Sequence, residues 1–250
     1  MTDVRTFPDL LAARLRTSPG SPLLTAYDDR TGDRTELSVT TYANWVSKTA
    51  NLLTDELGLE EGDVVLLDLP THWLVPVFLG AAWSAGLAVT TRQDVDHAVV
   101  VCGPDRVETL RSSGTRGAEV VACSLLPFAV RFREPLPPGV LDYGLAWPGQ
   151  SDVFAPVVLP GPQSPAWAGP DRTHADLLDL ATGTGHVAGA RMLTDLHPAS
   201  GEGVPAFLGP LVHGGSVVLV SHPDDAAWPA RHRDERATVE LRAVDQPPSV

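Results

Sequence analysis

A chain of 250 residues, 43% of them hydrophobic, is long enough to bury a substantial core without metal or disulfide staples. Its 18 basic against 31 acidic residues leave a formal charge of -13, which repels phosphate backbones and anionic bilayers and argues against nucleic acid or membrane as partners. The two cysteines, Cys102 and Cys123, are too far apart for a CxxC pair and close two apolar runs, so they read as buried, unreactive thiols of a cytoplasmic protein.

In chain order, the amino terminus lacks a basic start, an apolar core and a cleavage site, so it reads as an ordinary helix (FPDLLAARLRTS) and not a secretory signal. Two short strands follow around an Asp-rich turn at Gly32. In residues 40–63, Tyr42, Trp45, Thr49, Leu52, Leu53 and Leu57 recur at helical spacing, with Thr40 or Thr41 as the cap, Gly58 at the end and Lys48, the only lysine, on a solvated face. VVLLDLP, HWLVPVFLGAAWSAG and LAVTT then predict strand, helix and strand, the strands continuously apolar as in a parallel sheet covered on both faces. The run 73–89 is too short for a bilayer span and is broken by Pro76, Gly80 and Gly86. HAVVVCG, DRVETLRSSG and AEVVACS repeat the unit, and ARMLTDL, SGEGVPAFLGPLVHGG and SVVLVSH give it a third time. Between the second and third lies a proline-rich connection, 134–172, expected to be extended. These elements predict one α/β domain over 1–228, a three-layer, mostly parallel sheet with helices on both faces, and a polar, poorly ordered tail over 229–250.

The stretch LLDLATGTGHVAGA, 177–190, has the look of a nucleotide loop. Gly183 and Gly185 follow an apolar run, as in S-adenosylmethionine-dependent methyltransferases. Such a loop needs a helix behind it that aims amino-terminal N-H groups at the ligand, but a strand-like run resumes at about Arg191. The competing reading, a helix begun at THADLL with Thr173 and Asp176 at its start and ended by the glycines, is favoured; the methyltransferase remains the alternative.

Three segments carry a resemblance. Residues 37–90 place in order a Tyr-bearing helix, a turn at Gly62 and Asp63, a strand ending in Leu69 and Pro70, and a helix ending in Ala85 and Gly86. THADLL (173–178) and RMLTDLHPASGEGVPAFLGPLVHGGSVVLV (191–220) follow. Together, over roughly residues 7–222, they resemble the amino-terminal portion of the AMP-forming adenylate ligases, which include acyl-CoA synthetases, luciferases and adenylation domains of peptide synthetases. In that family a Ser/Thr/Gly-rich loop ending in Gly-Lys precedes the THADLL-like helix and holds the ATP phosphates. Here QSPAWAGPDR (163–172) stands in its place, with two prolines, one glycine, no lysine and a single cation, Arg172. The sequence also stops short of the family's adenine motif, ribose-binding aspartate and catalytic-lysine domain, and Lys48 stands on the wrong helix to substitute.

The resemblance therefore implies a truncated, degenerate ligase relative with no catalytic residues and no cofactor, in which ATP and Mg²⁺ do not bind productively. Its expected partner is another protein or a small acyl- or adenylate-like ligand at the sheet's carboxyl edge, with Asp68, Asp195 and His197 as the pocket candidates. A split ligase completed by another chain is the further alternative. A portion lacking its usual neighbour should either dimerise or cover its apolar face with the proline-rich connection or the tail. No metal site is expected; His197, His213 and His222 at strand ends could gather at one sheet edge, although solvent-facing caps are the commoner reading.

Overall fold

The computed structural model describes residues 4–113 and 119–243. In chain order it contains α1 (Phe7–Thr17), β1 (Pro22–Asp28), β2 (Asp33–Ser38), α2 (Val39–Asn51), β3 (Val64–Asp68), α3 (Leu74–Ser84), β4 (Ala88–Thr90), β5 (Val99–Cys102), α4 (Pro104–Ser113) and β6 (Glu119–Ala122). These are followed by β7 (Val140–Asp142), α5 (Tyr143–Ala146), β8 (Pro165–Trp167), β9 (Arg172–Thr173), α6 (His174–Gly183), β10 (Arg191–Thr194), α7 (Gly203–Val212), β11 (Ser216–Ser221), α8 (Trp228–Asp234) and β12 (Val239–Leu241). The fold is α/β with parallel sheets flanked by helices, and the strands divide between two sheets. Two compact units result: residues 1–42, 71–76 and 175–250 form the first, residues 43–70 and 77–174 the second.

The first unit holds a five-stranded sheet in the order β12-β10-β11-β1-β2. β10, β11, β12 and β1 run parallel, and β2 returns antiparallel to β1 through the Asp-rich turn. All six residues of β11 are buried, as befits a strand covered on both faces. α1 starts with a capping box in which Thr6 Oγ1 accepts from Asp9 N-H while the Asp9 carboxylate accepts from Thr6 N-H, satisfying two donors that the first turn leaves open. The cap of α2 is Ser38, whose Oγ accepts from Thr41 N-H at 3.1 Å, and not Thr40 or Thr41 as the sequence suggested: the helix begins directly at the end of β2.

Residues 229–243 are not a loose tail. Trp228, 5% exposed, opens α8 and packs with Leu193, Val218 and Val220, while β12 adds a parallel strand beside β10. Arg242 lies over the Trp228 ring, 4.3 Å from its centre, and pairs with Asp225 at 2.6 Å. One tryptophan and a three-residue strand suffice because the sheet edge is already present; residues 244–250 of the expected tail lie outside the described residues.

The second unit holds a seven-stranded sheet in the order β7-β6-β5-β3-β4-β8-β9, parallel from β7 to β8 and closed by the antiparallel β8-β9 hairpin. Phe78, Leu79 and Trp83 of α3 are fully buried, explaining why this helix is apolar all round. The proline-rich connection is anchored on α2. Tyr143 Oη and Thr49 Oγ1 are hydrogen-bonded at 2.7 Å, the Trp45 and Trp147 rings lie 4.0 Å apart, and Asn51 Nδ2 donates to the Ser151 and Val153 carbonyls. Lys48 belongs to the same seam and not to a solvated face: its ammonium donates to the carbonyls of Pro148 and Gln150 and pairs with Asp152 at 3.2 Å. Among the described residues no helix is long and apolar enough to cross a membrane.

Candidate functional site

In an open parallel sheet, ligands collect outside the carboxyl ends of two neighbouring strands whose connections leave in opposite directions. In the seven-stranded sheet that point falls between β3 and β5, since the chain leaves β3 for β4 on one side and continues from β5 to β6 on the other. A cavity of about 450 Å³ opens there, lined by Asp68 and Pro70 after β3, by Gly103 to Arg106 after β5, and by Leu125 after β6. Gly103 keeps it passable: a Cβ at that position would meet Leu125 at 3.3 Å and Pro70 at 3.4 Å. Arg106, in the first turn of α4, faces Asp68 at 3.6 Å, each about one third exposed, and its Nε has no hydrogen-bond partner among the described residues. The crevice thus presents the Arg106 guanidinium opposite the Asp68 carboxylate, with Asp105 also on its lining, a pair able to hold a polar ligand by its two ends. Asp68 was legible from the sequence as a strand-end acid. Arg106 was not singled out, although GPDR directly after an apolar strand was the available signal. Cys102, at the end of β5, is no nucleophile: burial first and the Asp68 charge second push its thiol up to about 12.

The segment QSPAWAGPDR folds as the β8-β9 hairpin. A phosphate cradle requires backbone N-H groups that point at an open space. Here Ala168 N-H donates to the Val89 carbonyl at 2.9 Å, Gly169 N-H to Asp171 Oδ1 at 3.3 Å and His174 N-H to the Ser164 carbonyl at 3.1 Å. Ala166 and Trp167 are buried, and the Ala166 carbonyl accepts from Trp83 Nε1 at 2.8 Å. These donors are spent on the fold itself, and the exposed Arg172 opens β9.

In the first unit, the remaining candidates occupy built positions. The Asp195 carboxylate, following β10, accepts from Ala243 N-H at 2.6 Å and from Arg242 Nε at 3.5 Å, which ties down the segment after β12. His197 Nδ1 accepts from Ala199 N-H at 3.1 Å in the turn before α7. The cavity beside them, bounded by Thr194, Leu196, Pro198 and Phe207, measures about 10 Å³, room for no more than one water. Gly183 ends α6, and Gly185, with φ +67°, turns the chain; between it and β10 at Arg191 there is no helix, so a nucleotide loop lacks the N-terminus it requires. The histidines do not gather. His213 ends α7 ahead of β11, whereas His222 follows β11 and contacts Asp28 at 3.1 Å, so six strand residues separate them. No group of three or more metal-ligating side chains occurs among the described residues.

This architecture is that of the amino-terminal portion of acyl-CoA synthetases. The chain superposes on a Brucella canis acyl-CoA synthetase with a TM-score of 0.78 at 18% identity, on a Streptomyces lividans acetoacetyl-CoA synthetase with 0.75 at 19%, and on a Mycobacterium tuberculosis fatty acyl CoA synthetase with 0.73 at 13%. These superpositions cover 95%, 96% and 96% of the chain but 47%, 42% and 49% of the synthetases, so the chain spans less than half of their length. No family model matches. In sequence it is 36% identical over 233 residues to a TIGR03089 family protein of Mycobacterium tuberculosis, covering 92% of this chain and 95% of that protein. The chain belongs to the TIGR03089 family.

Proposed function

We propose that this chain is a ligand-binding or interaction protein on the acyl-CoA synthetase fold that runs no ATP-dependent ligation of its own. In this reading a small acyl- or adenylate-like ligand sits in the crevice of Asp68 and Arg106. The observation that carries the loss of ligation is the β8-β9 hairpin, whose N-H groups bond internally where a phosphate loop would need them free. A polyanion arriving there would find proline, buried tryptophan and one exposed arginine, without the preorganised donors that make phosphate binding and adenylate formation fast. The acidic net charge and the two free, buried thiols support a protein of the reducing cytoplasm whose partners are neither nucleic acid nor membrane.

Pyrophosphate exchange with ATP, Mg²⁺ and a panel of carboxylic acids tests the reading directly. Exchange at background level is expected with every acid, and calorimetry should show no ATP binding in the micromolar range. Robust exchange with any acid would overturn the loss of chemistry. A thermal-shift series with AMP and a non-hydrolysable acyl-adenylate analogue tests the crevice. Stabilisation that disappears in Arg106→Ala is the expected result, and stabilisation unchanged in that variant would place the ligand elsewhere.

A further inference from the structure

The first unit contains a cation that has no counter-charge among the described residues. Arg14, on the last turns of α1, is 5% exposed, and its Nε and Nη1 are fully buried with no hydrogen-bond partner. A guanidinium carries five donors and does not give up its proton, so burial without an acceptor is a standing cost. Burial lowers its pKa from the ordinary arginine value, and no carboxylate among the described residues pairs with it. Arg14 stands where two cavities meet, at the amino edge of the five-stranded sheet. The first, about 220 Å³, has an apolar wall of Leu10, Leu178, Leu211 and Val212. The second, about 390 Å³, has Ser21, Ser216, Arg236 and Thr238 on its lining. Arg14 and Gly214 line both.

The charges around the second cavity sharpen the case. Glu235 also lines it, but its carboxylate is held by Arg191, Arg34 and Tyr27, so it does not compensate Arg14. Arg236 is exposed and makes no side-chain hydrogen bond or ion pair among the described residues. A protein of charge -13 thus keeps two uncompensated guanidiniums around one cavity, one of them desolvated, beside an apolar recess. We infer that this double cavity binds a small amphiphilic anion: a carboxylate or phosphate on Arg14, steadied by Arg236, with a short hydrocarbon part against Leu10, Leu178 and Leu211. This site goes beyond the proposed crevice of Asp68 and Arg106 and does not depend on it.

Calorimetry of the full chain with octanoate, octyl phosphate and inorganic phosphate provides the test. Octanoate or octyl phosphate should bind at least tenfold more tightly than inorganic phosphate, and whichever wins identifies the head group. Arg14→Met should weaken that binding tenfold or more, and Arg236→Glu should weaken it severalfold. Absence of binding by all three probes, inorganic phosphate binding as tightly as octyl phosphate, or Arg14→Met binding like the unaltered chain would each overturn the inference. If Arg14→Met fails to fold, Arg236→Glu decides, and unchanged affinity in that exposed variant overturns the site.

Discussion

The crevice of Asp68 and Arg106 and the double cavity at Arg14 each present an arginine to a hollow of a few hundred Å³, yet they treat its charge in opposite ways. Arg106 has its own carboxylate 3.6 Å away, and both side chains remain about one third in water. Arg14 is 5% exposed, and its Nε and Nη1 have no hydrogen-bond partner among the described residues. In the first arrangement a ligand must compete with Asp68 for the Arg106 guanidinium. The second is unsatisfied when empty, so an arriving anion gains the whole interaction. A strand-end acid in sequence therefore locates a crevice, whereas an uncompensated buried cation is the stronger sign of what would fill one.

Four measurements can break or sharpen that contrast. The largest effect belongs to Arg191, whose guanidinium joins Glu235, Ser216 and Thr25 beneath the second cavity at Arg14. Arg191→Leu takes one of two guanidiniums from a largely buried carboxylate, leaving it Arg34 and Tyr27, and removes the bonds to Ser216 and Thr25 as well; urea denaturation should show a loss of about 3 kcal/mol. Next comes His72, an imidazole that burial holds down at about 4. Being neutral in the fold but protonated below about 6.5 when unfolded, it makes stability fall as pH drops from about 6.5 to about 4, by roughly 3 kcal/mol. His72→Asn should flatten that part of the profile. A buried imidazole sheds its proton where Arg14 cannot, so Arg14→Met should leave the profile's shape alone. The same variant, without ligand, should be about 1 kcal/mol more stable than the unaltered chain, because it removes donors that nothing accepts. A destabilised Arg14→Met would mean that the guanidinium is satisfied. The smallest effect is expected for Asp68→Asn, about 0.5 kcal/mol or less in urea and nothing measurable in molar salt, as for a solvated pair.

The strand-helix-strand units were readable because continuous apolar runs such as VVLLD and VVLVS have few alternatives to a buried parallel strand. Their division into two sheets was not, since it depends on which strand pairs with which, a long-range choice on which local apolarity is silent. The helix-end reading of Gly183 and Gly185 rested on the shortness of the stretch before Arg191, a constraint local enough to be decided from the letters alone. Asp68 could be placed at a strand end by counting apolar residues. Arg14 could not be recognised, because its consequence depends on no described residue bringing an acceptor to its Nε and Nη1. Lys48 was misread as solvated for the converse reason: helical spacing puts it on an outer face, and only the returning segment 147–153 shows what covers that face.

That lone ammonium has a practical use. Because the chain carries a single lysine, and its side chain is only 16% exposed against the carbonyls of Pro148 and Gln150, amine-directed acylation of Lys48, followed on its own peptide by mass spectrometry apart from the α-amino group, becomes a reporter of one event, the lifting of the proline-rich strap from α2. Slow labelling of the native chain and fast labelling in mild denaturant would time that opening at a single atom, with no engineered probe.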